Sequence, residues 1–360
     1  MPRKIFFTPG PSALYFTVET HLKEALKAQV MEINHRSAQA EGYFKTAAEN
    51  LKSLMSIPND YQVVFLSSAT EIWERQLQNL VFEKSHHFCY GAFSNRFFDF
   101  ATQLGLSPSQ STSDFGRVPD LNFEEIPTDT ELIGFALNET STGVSFPTER
   151  LAELKKERPD ALIAVDGVSA FPVIDLDFNL VDSAYFSVQK CFGLPAGLGV
   201  WILSPRAIAK AEEKLGKGHS IGTYQTIPNL LKNALKHQTT YTANVLDIYL
   251  LSKVTEDMLD KGIDVIRREA KYKNVLLQHM VNEHPLLTHF VEDKAIRSTT
   301  VTVANTATSS NDILTKLNEK GFVLGNGYGT FKGKQIRIAS FPTHSKEQIE
   351  LLVDVLHTIV

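Results

Sequence analysis

Cysteine is almost missing from this sequence: Cys89 and Cys191 are the only two among 360 residues, and no CxxC pair or Cys/His cluster at metal spacing occurs. That rules out a disulfide framework and a cysteine-built metal centre, so no metal is expected. Both thiols are expected to be reduced, which makes the cytoplasm the expected compartment. Long apolar runs are lacking too, and none reaches the length of a membrane-spanning helix. The beginning of the chain, MPRKIFFTPGPS, has no extended apolar core of the kind a signal peptide needs. Positive charge is not in excess: the net charge of −5 argues against a nucleic-acid surface. Tandem repeats and low-complexity tracts are absent. With 43% hydrophobic and 21% charged residues, the composition is that of a globular protein. Its length suits one large domain plus a smaller one, or two intertwined.

Against that plain background, the stretch Ser183 to Trp201 (SAYFSVQKCFGLPAGLGVW) stands out. An apolar run through Val188 delivers Gln189-Lys190, and a Gly/Pro-rich turn then leads to a second apolar run at Val200. A lysine where a buried strand opens into a loop is poorly solvated, which lowers its pKa and favours the free amine. Such a lysine suits Schiff-base chemistry; a strand-end lysine with its ammonium in water is the plain alternative. Upstream, Ala161-Leu-Ile-Ala-Val165-Asp166-Gly167 reads as a parallel strand ending in a carboxylate. Lys190 follows Asp166 by 24 residues, room for one more element. Ligands of open α/β sheets bind at that strand edge. A lysine for an aldehyde and a carboxylate for a ring nitrogen together match the needs of pyridoxal 5′-phosphate. Alternatively, Asp166 caps the next turn.

Elsewhere the pattern predicts helices over Val18–Ala28 and Glu41–Met55, the second following a short loop that contains His35-Arg36-Ser37. Repeated βα units begin at Tyr61–Leu66, whose turn Ser67-Ser68-Ala69-Thr70 opens a helix over Glu71–Val81. A helix N-terminus behind a strand offers unpaired N–H groups to an anion, although the same residues also make an ordinary cap. Strands are expected at His86–Tyr90, followed by Phe93 at the strand–helix junction, and at Glu131–Leu137, followed by Asn138-Glu139-Thr140. Functional residue types thus recur at successive strand ends, as one composite pocket requires. Residues 219–229 read as a polar connection. A single long helical stretch runs from Val245 to about His284, and the remainder is α+β. Arg337 interrupts the apolar run Ile336-Arg337-Ile338, so it is either paired structurally or faces a carboxylate.

These residues, in order, resemble the class V, fold-type I pyridoxal-phosphate aminotransferases and, within them, the phosphoserine aminotransferase branch. The resemblance runs through Gly10-Pro11, Val30 to Arg36, Asn138-Glu139-Thr140, Asp166 with Ser169, Gln189-Lys190 with Pro195 to Leu198, and Arg337 to Pro342. It implies an arm over residues 1–15, a large mainly parallel-sheet domain over 16–245 and a small α+β domain over 246–360. It implies that Lys190 carries the Schiff base and that Asp166 pairs with the pyridine nitrogen. Phe93 would stack on the ring and Thr140 would bond its phenolic oxygen, with Ser169 alongside Asp166. Ser68, Ala69, Thr70 and Gln189 would hold the phosphate. Tyr241 and Thr242 would reach that phosphate from the other subunit of a homodimer. Arg337 would clamp the substrate's α-carboxylate, and His35 and Arg36 would line the pocket for its side chain.

Two positions differ from the family pattern. A glycine-rich turn ending in arginine is here Ser68-Ala69-Thr70-Glu71, and a His-Arg pair is here Asn326-Gly327-Tyr328. The expected activity is a ping-pong transamination between an amino-acid donor and a 2-oxo acid, with phosphoserine and 2-oxoglutarate as the pair of serine biosynthesis. Alanine, serine or aspartate with glyoxylate or pyruvate is the alternative, since Thr8 to Ser12 and Asp166-x-Val168-Ser169 also resemble the alanine–glyoxylate branch. A lyase of the same fold, such as a cysteine desulfurase, would need a mobile cysteine nucleophile. A non-catalytic protein on a borrowed fold is the remaining reading.

Overall fold

The computed structural model describes residues 4–359; the first three residues of the expected arm, and Val360, lie outside the described residues. The chain starts with β1 (Ile5–Phe7), α1 (Val18–Lys27) and α2 (Ala38–Met55). Strand–helix units follow as β2 (Gln62–Leu66), α3 (Ala69–Leu80), β3 (Ser85–Cys89), α4 (Ala92–Gln103), β4 (Ser109–Thr112) and β5 (Leu132–Ala136). The two-residue strands β6 (Asn138–Glu139) and β7 (Val144–Ser145) precede α5 (Leu151–Glu157), β8 (Leu162–Asp166), β9 (Ser183–Ser187) and β10 (Gly199–Leu203). Four helices come next: α6 (Pro205–Gly216), α7 (Ile227–Ala234), α8 (Val245–Lys261) and α9 (Ile263–Glu283). The chain closes with β11 (Leu287–His289), β12 (Val301–Thr306), α10 (Ser310–Glu319), β13 (Phe322–Asn326), β14 (Gln335–Ala339) and α11 (Lys346–His357).

Local chemistry explains most of these boundaries. Serine hydroxyls at 37, 68, 204 and 345 accept backbone N–H groups at the starts of α2, α3, α6 and α11. Pro205 begins α6, and Gln348 completes a reciprocal capping box with Ser345. The long helical stretch expected after Val245 is two helices instead of one. Gly262 separates them at φ +83°, a left-handed conformation that a helix interior cannot accommodate. The polar connection expected over 219–229 ends early, because Ile227, Leu230 and Ala234 share the buried face of α7. Strand β13 carries no recognisable signal in a segment flanked and interrupted by Gly321 and Gly325, and pairing with its neighbours decides its conformation.

Seven strands form the main sheet in the order β2-β10-β9-β8-β5-β3-β4. Only β10 runs against the rest, pairing antiparallel with both β2 and β9. The buried faces of these strands and the helices around them form one large apolar core. Because β2, β3, β5, β8 and β9 point the same way, their C-terminal ends converge on one edge. A second, five-stranded sheet has the order β1-β13-β14-β12-β11 and a separate core under α9 and α11. This mixed α/β layout, a large mostly parallel sheet beside a smaller sheet, is the one expected from the sequence for a fold-type I transferase.

The first strand belongs to the smaller sheet: β1 lies parallel to β13, with Ile5 opposite Phe322. From there the chain crosses to the main sheet. Ser12 N–H donates to Gln189 O at 3.1 Å and Tyr15 N–H to Gly193 O at 2.8 Å. The segment around Gly10 therefore lies across the loop that carries Lys190.

One buried charge ties the opposite, N-terminal edge of the sheet together. Asp182 accepts from Ile163 N–H and from the Ser204 hydroxyl, each at 3.0 Å, and pairs with Lys155 at 3.0 Å and Arg206 at 3.4 Å. Asp182→Ala leaves these donors without their acceptor and is expected to cost about 3 kcal/mol of stability. Urea unfolding of the two proteins tests this, and an equal midpoint would contradict it.

Candidate active site

At the converging strand ends lies a cavity of about 240 Å³ that is lined by Lys190, Asp166, Thr140 and Phe93, with Arg337 reaching in from the smaller sheet. Each side chain is delivered by its own strand. Asp166 ends β8, Lys190 follows β9, Thr140 follows β5 and β6, and Phe93 stands in the first turn of α4 behind β3. Lys190 is only 8% exposed, and Asp166 only 7%. The Lys190 amine donates to Thr140 Oγ1 at 3.0 Å and lies 5.2 Å from the centre of the Phe93 ring. Burial lowers the Lys190 pKa below 10.5, against the opposing pull of Asp166. Burial likewise raises Asp166 to about 6, while the Val168 N–H and the positive charge of Lys190 restrain the rise. Asp166 Oδ1 accepts from Val168 N–H at 2.9 Å, and Oδ2 from Trp73 Nε1–H at 3.3 Å.

A hydrogen-bond chain fixes the neighbouring hydroxyls. Thr140 Oγ1 donates to Ser169 Oγ at 2.8 Å, Asn138 Nδ2 donates to the same oxygen at 2.7 Å, and Ser169 donates to Asn138 O at 3.0 Å. Ser169 thus orients Thr140 from behind the cavity. Asn138 Oδ1, buried at the cavity wall, has no partner among the described residues. Arg337 is held by Nε–H to Asn326 O at 2.7 Å and by Nη1–H to Thr140 O at 3.3 Å, with its guanidinium 5.4 Å from the Tyr328 ring. Its other N–H donors remain available for a carboxylate.

The start of α3 forms the end wall of the cavity, through Ala69 and Thr70. Ser68 is turned away to its capping role, accepting from Glu71 N–H at 3.1 Å. Ala69 N–H donates to Ser187 Oγ at 2.8 Å, which places that hydroxyl beside Gln189 at the same corner. Glu71 does not point into the site. Its carboxylate accepts from Ser67 N–H at 3.2 Å and Ser67 Oγ at 2.5 Å, so the acid closes its own turn.

Of the expected site residues, Ser68 and Ser169 stand behind the cavity wall, and four more are not brought near it within the chain. His35 and Thr242 line a separate cleft together with Asn34 and Asn244. Arg36 donates through Nη1 to Gln238 Oε1 at 2.7 Å, and the Tyr241 carbonyl accepts from Thr239 Oγ1 at 2.6 Å. Conversely, Trp73, Arg96 and Ser187 line the cavity without having been singled out, and Pro9-Gly10-Pro11 and Tyr328, named only for their likeness to or difference from the family pattern, line it too. Trp73 had a usable signal, since it lies one helical turn beyond Thr70. Gly10 carried a family likeness but no local sign of its place at the cavity: it is brought in by pairing of β1 with β13.

The class-V aminotransferase family model matches residues 6–350. The chain belongs to the class-V aminotransferases. A solved phosphoserine aminotransferase, SerC from Cytophaga hutchinsonii, is 46% identical, with a TM-score of 0.97 and full coverage of both chains. The phosphoserine aminotransferase of a Nocardioides species is 27% identical over 98% of this chain and 95% of its own length. An alanine–glyoxylate aminotransferase from Nostoc, 22% identical, has a TM-score of 0.86 with 99% of this chain and 95% of that chain covered, a likeness of fold.

This class-V aminotransferase uses pyridoxal 5′-phosphate, and the residues present fit it. The cavity offers a buried amine, a buried carboxylate at the far wall, an aromatic face and a helix start with small residues at the anion corner. Gly10 shows how close the fit is. At φ +143°, an added Cβ would come within 2.8 Å of Lys190 Cε. Gly10→Ala is therefore expected to slow uptake of pyridoxal phosphate by the apoprotein about tenfold or more. Growth of the visible absorption band measures the rate, and an unchanged rate would show that the arm does not confine Lys190.

Proposed function

We propose that this aminotransferase moves the amino group of phosphoserine to 2-oxoglutarate, the reaction of serine biosynthesis, by ping-pong transamination. The observation that carries the reading is the buried Lys190 amine sharing one cavity with Asp166 and Arg337. The 46% identity to the Cytophaga phosphoserine aminotransferase supports the substrate.

Pyridoxal phosphate, when bound, supplies the electron sink that stabilises charge at the substrate's α-carbon. Lys190 would hold its aldehyde carbon and Asp166 its ring nitrogen. Phe93 would cover the ring, and Thr140 would bond the phenolic oxygen. Ala69, Thr70 and Gln189 would face the phosphate, with Ser68 shaping the helix start behind them. Arg337 orients the substrate by its α-carboxylate. Lys190 Nζ, whose pKa is lowered by burial, takes the α-proton as a base and returns it as an acid. Cavity walls of Phe93 and Tyr328 keep water from competing for that proton.

A cysteine-dependent lyase finds no support, because both thiols are buried and each is pushed up to about 12 by that burial. His35 and Thr242 share one exposed cleft, which suits a second role: in a cytoplasmic homodimer, Tyr241, Thr242, His35 and Arg36 would complete the partner's site.

Lys190→Ala should remove the visible absorption of the cofactor-loaded protein and lower transamination by at least about a thousandfold. Retained turnover would end the assignment of the base. Phosphoserine added to loaded protein in the absence of oxo acid should bleach the same band; bleaching by alanine but not by phosphoserine would transfer the assignment to the alanine–glyoxylate type.

The pH dependence of cofactor binding tests Asp166 separately. With its carboxyl raised to about 6, the carboxylate that would hold a protonated ring nitrogen is present above that value and lost below it. Apoprotein should bind pyridoxal phosphate more weakly at about pH 5 than at about pH 8, and Asp166→Asn should flatten that difference. An equal slope in the variant would assign the titration to another group.

A further inference from the structure

We propose that Arg96 is the anchor for a phosphate monoester in this cavity, a role that rests on the aminotransferase reading above and extends it. Three cationic side chains line the cavity: Lys190, Arg337 and Arg96. Lys190 is committed to chemistry at its amine. Arg337 is fixed by two backbone carbonyls, those of Asn326 and Thr140, in the geometry of a carboxylate clamp. A phosphate monoester carries nearly two charges, and the turn Ser67-Ser68-Ala69-Thr70-Glu71 at the start of α3 contains no cation to meet them.

Arg96 is placed to do so. It stands one helical turn beyond Phe93 on α4, beside Trp73, which stands one turn beyond Thr70 on α3. Its guanidinium carbon lies 5.9 Å from the Trp73 ring and 5.6 Å from the Phe100 ring. Those two rings meet edge to face at 86°, so they form a corner that holds the cation against the cavity wall. A planar guanidinium can lay its face on only one of two perpendicular rings and turns an edge to the other, which leaves the remaining N–H groups for a ligand. Among the described residues, Arg96 forms no hydrogen bond and no ion pair that would occupy those donors. The corner thus presents a pre-oriented fork between the N-terminal turns of two helices, the arrangement that planar recognition of phosphate calls for.

The monoester belongs either to the cofactor or to the substrate, and two arms of one experiment separate the sources. Apoprotein and its Arg96→Gln and Arg96→Lys variants are titrated with pyridoxal phosphate and with unphosphorylated pyridoxal, and binding is read by absorbance. The loaded proteins are then given phosphoserine or serine in single-turnover half-reactions. If Arg96 grips the cofactor, Arg96→Gln raises the Kd for pyridoxal phosphate about tenfold and leaves that for pyridoxal unchanged. If it grips the substrate, the concentration of phosphoserine giving half-maximal rate rises about tenfold, and that for serine does not. Arg96→Lys, which keeps the charge and the packing stem, should recover part of either loss. Equal losses for phosphorylated and unphosphorylated ligands, or changes under about twofold in all four titrations, overturn the proposal. If the unmutated protein fails to turn over phosphoserine, the substrate assignment falls, while the pyridoxal phosphate and pyridoxal pair still decides Arg96.

Discussion

The structure depends on keeping an amine and a carboxylate away from water at the same sheet edge. Either group, buried alone, would be costly enough to neutralise itself or to disrupt the fold. Together with Thr140 Oγ1, the Val168 N–H and the Trp73 indole, Lys190 and Asp166 satisfy one another's surroundings. Burial still moves both pKa values toward the neutral forms. That residual tension is useful, because an amine that remained a solvated ammonium could not attack an aldehyde or accept a proton near neutral pH. The parallel strands supply the geometry, since only strands pointing the same way bring their last residues into one row.

The surroundings are organised to hold that row rather than to add chemistry of their own. Glu139, fully buried, accepts from the Ser94 N–H at 2.9 Å and from the Ser141 hydroxyl at 2.6 Å, so it anchors the start of α4 and with it Phe93. Thr300, on the approach to β12, accepts from Asn138 Nδ2 at 3.2 Å and donates to Ser169 O at 2.6 Å. Arg337 reaches the Thr140 carbonyl from β14. The smaller sheet is therefore bonded to the same loops that hold the hydroxyls of the site. Neither module has a complete site without the other.

What could be read from the chain, and what could not, follows the range of the interactions involved. Lys190, Asp166, Thr140 and Phe93 were legible because each sits directly after an apolar run, where strand and loop are both local signals. The α/β class and the separate C-terminal layer were legible for the same reason. Glu71 stands where the family pattern has an arginine; its side chain folds back onto Ser67, a local bond that competes with any outward pose. His35, Arg36 and Thr242 carry sequence patterns that say nothing about which cavity they line. That Gly10 and Tyr328 line the same cavity was out of reach for a different reason. Their positions are set by strand pairings and domain contacts that join distant parts of the sequence, and no window of residues contains that information.

The pairing of β1 with β13 has a bearing on how the protein is made. Ile5 leaves the ribosome long before its partner Phe322 does. Until that late segment emerges, the arm has no strand to join, and Gly10 has nothing to hold it over Lys190. The main sheet can assemble meanwhile, with its lysine open on one side. The step that docks this arm is then also the step that covers the Lys190 amine, and it waits until β13 has emerged.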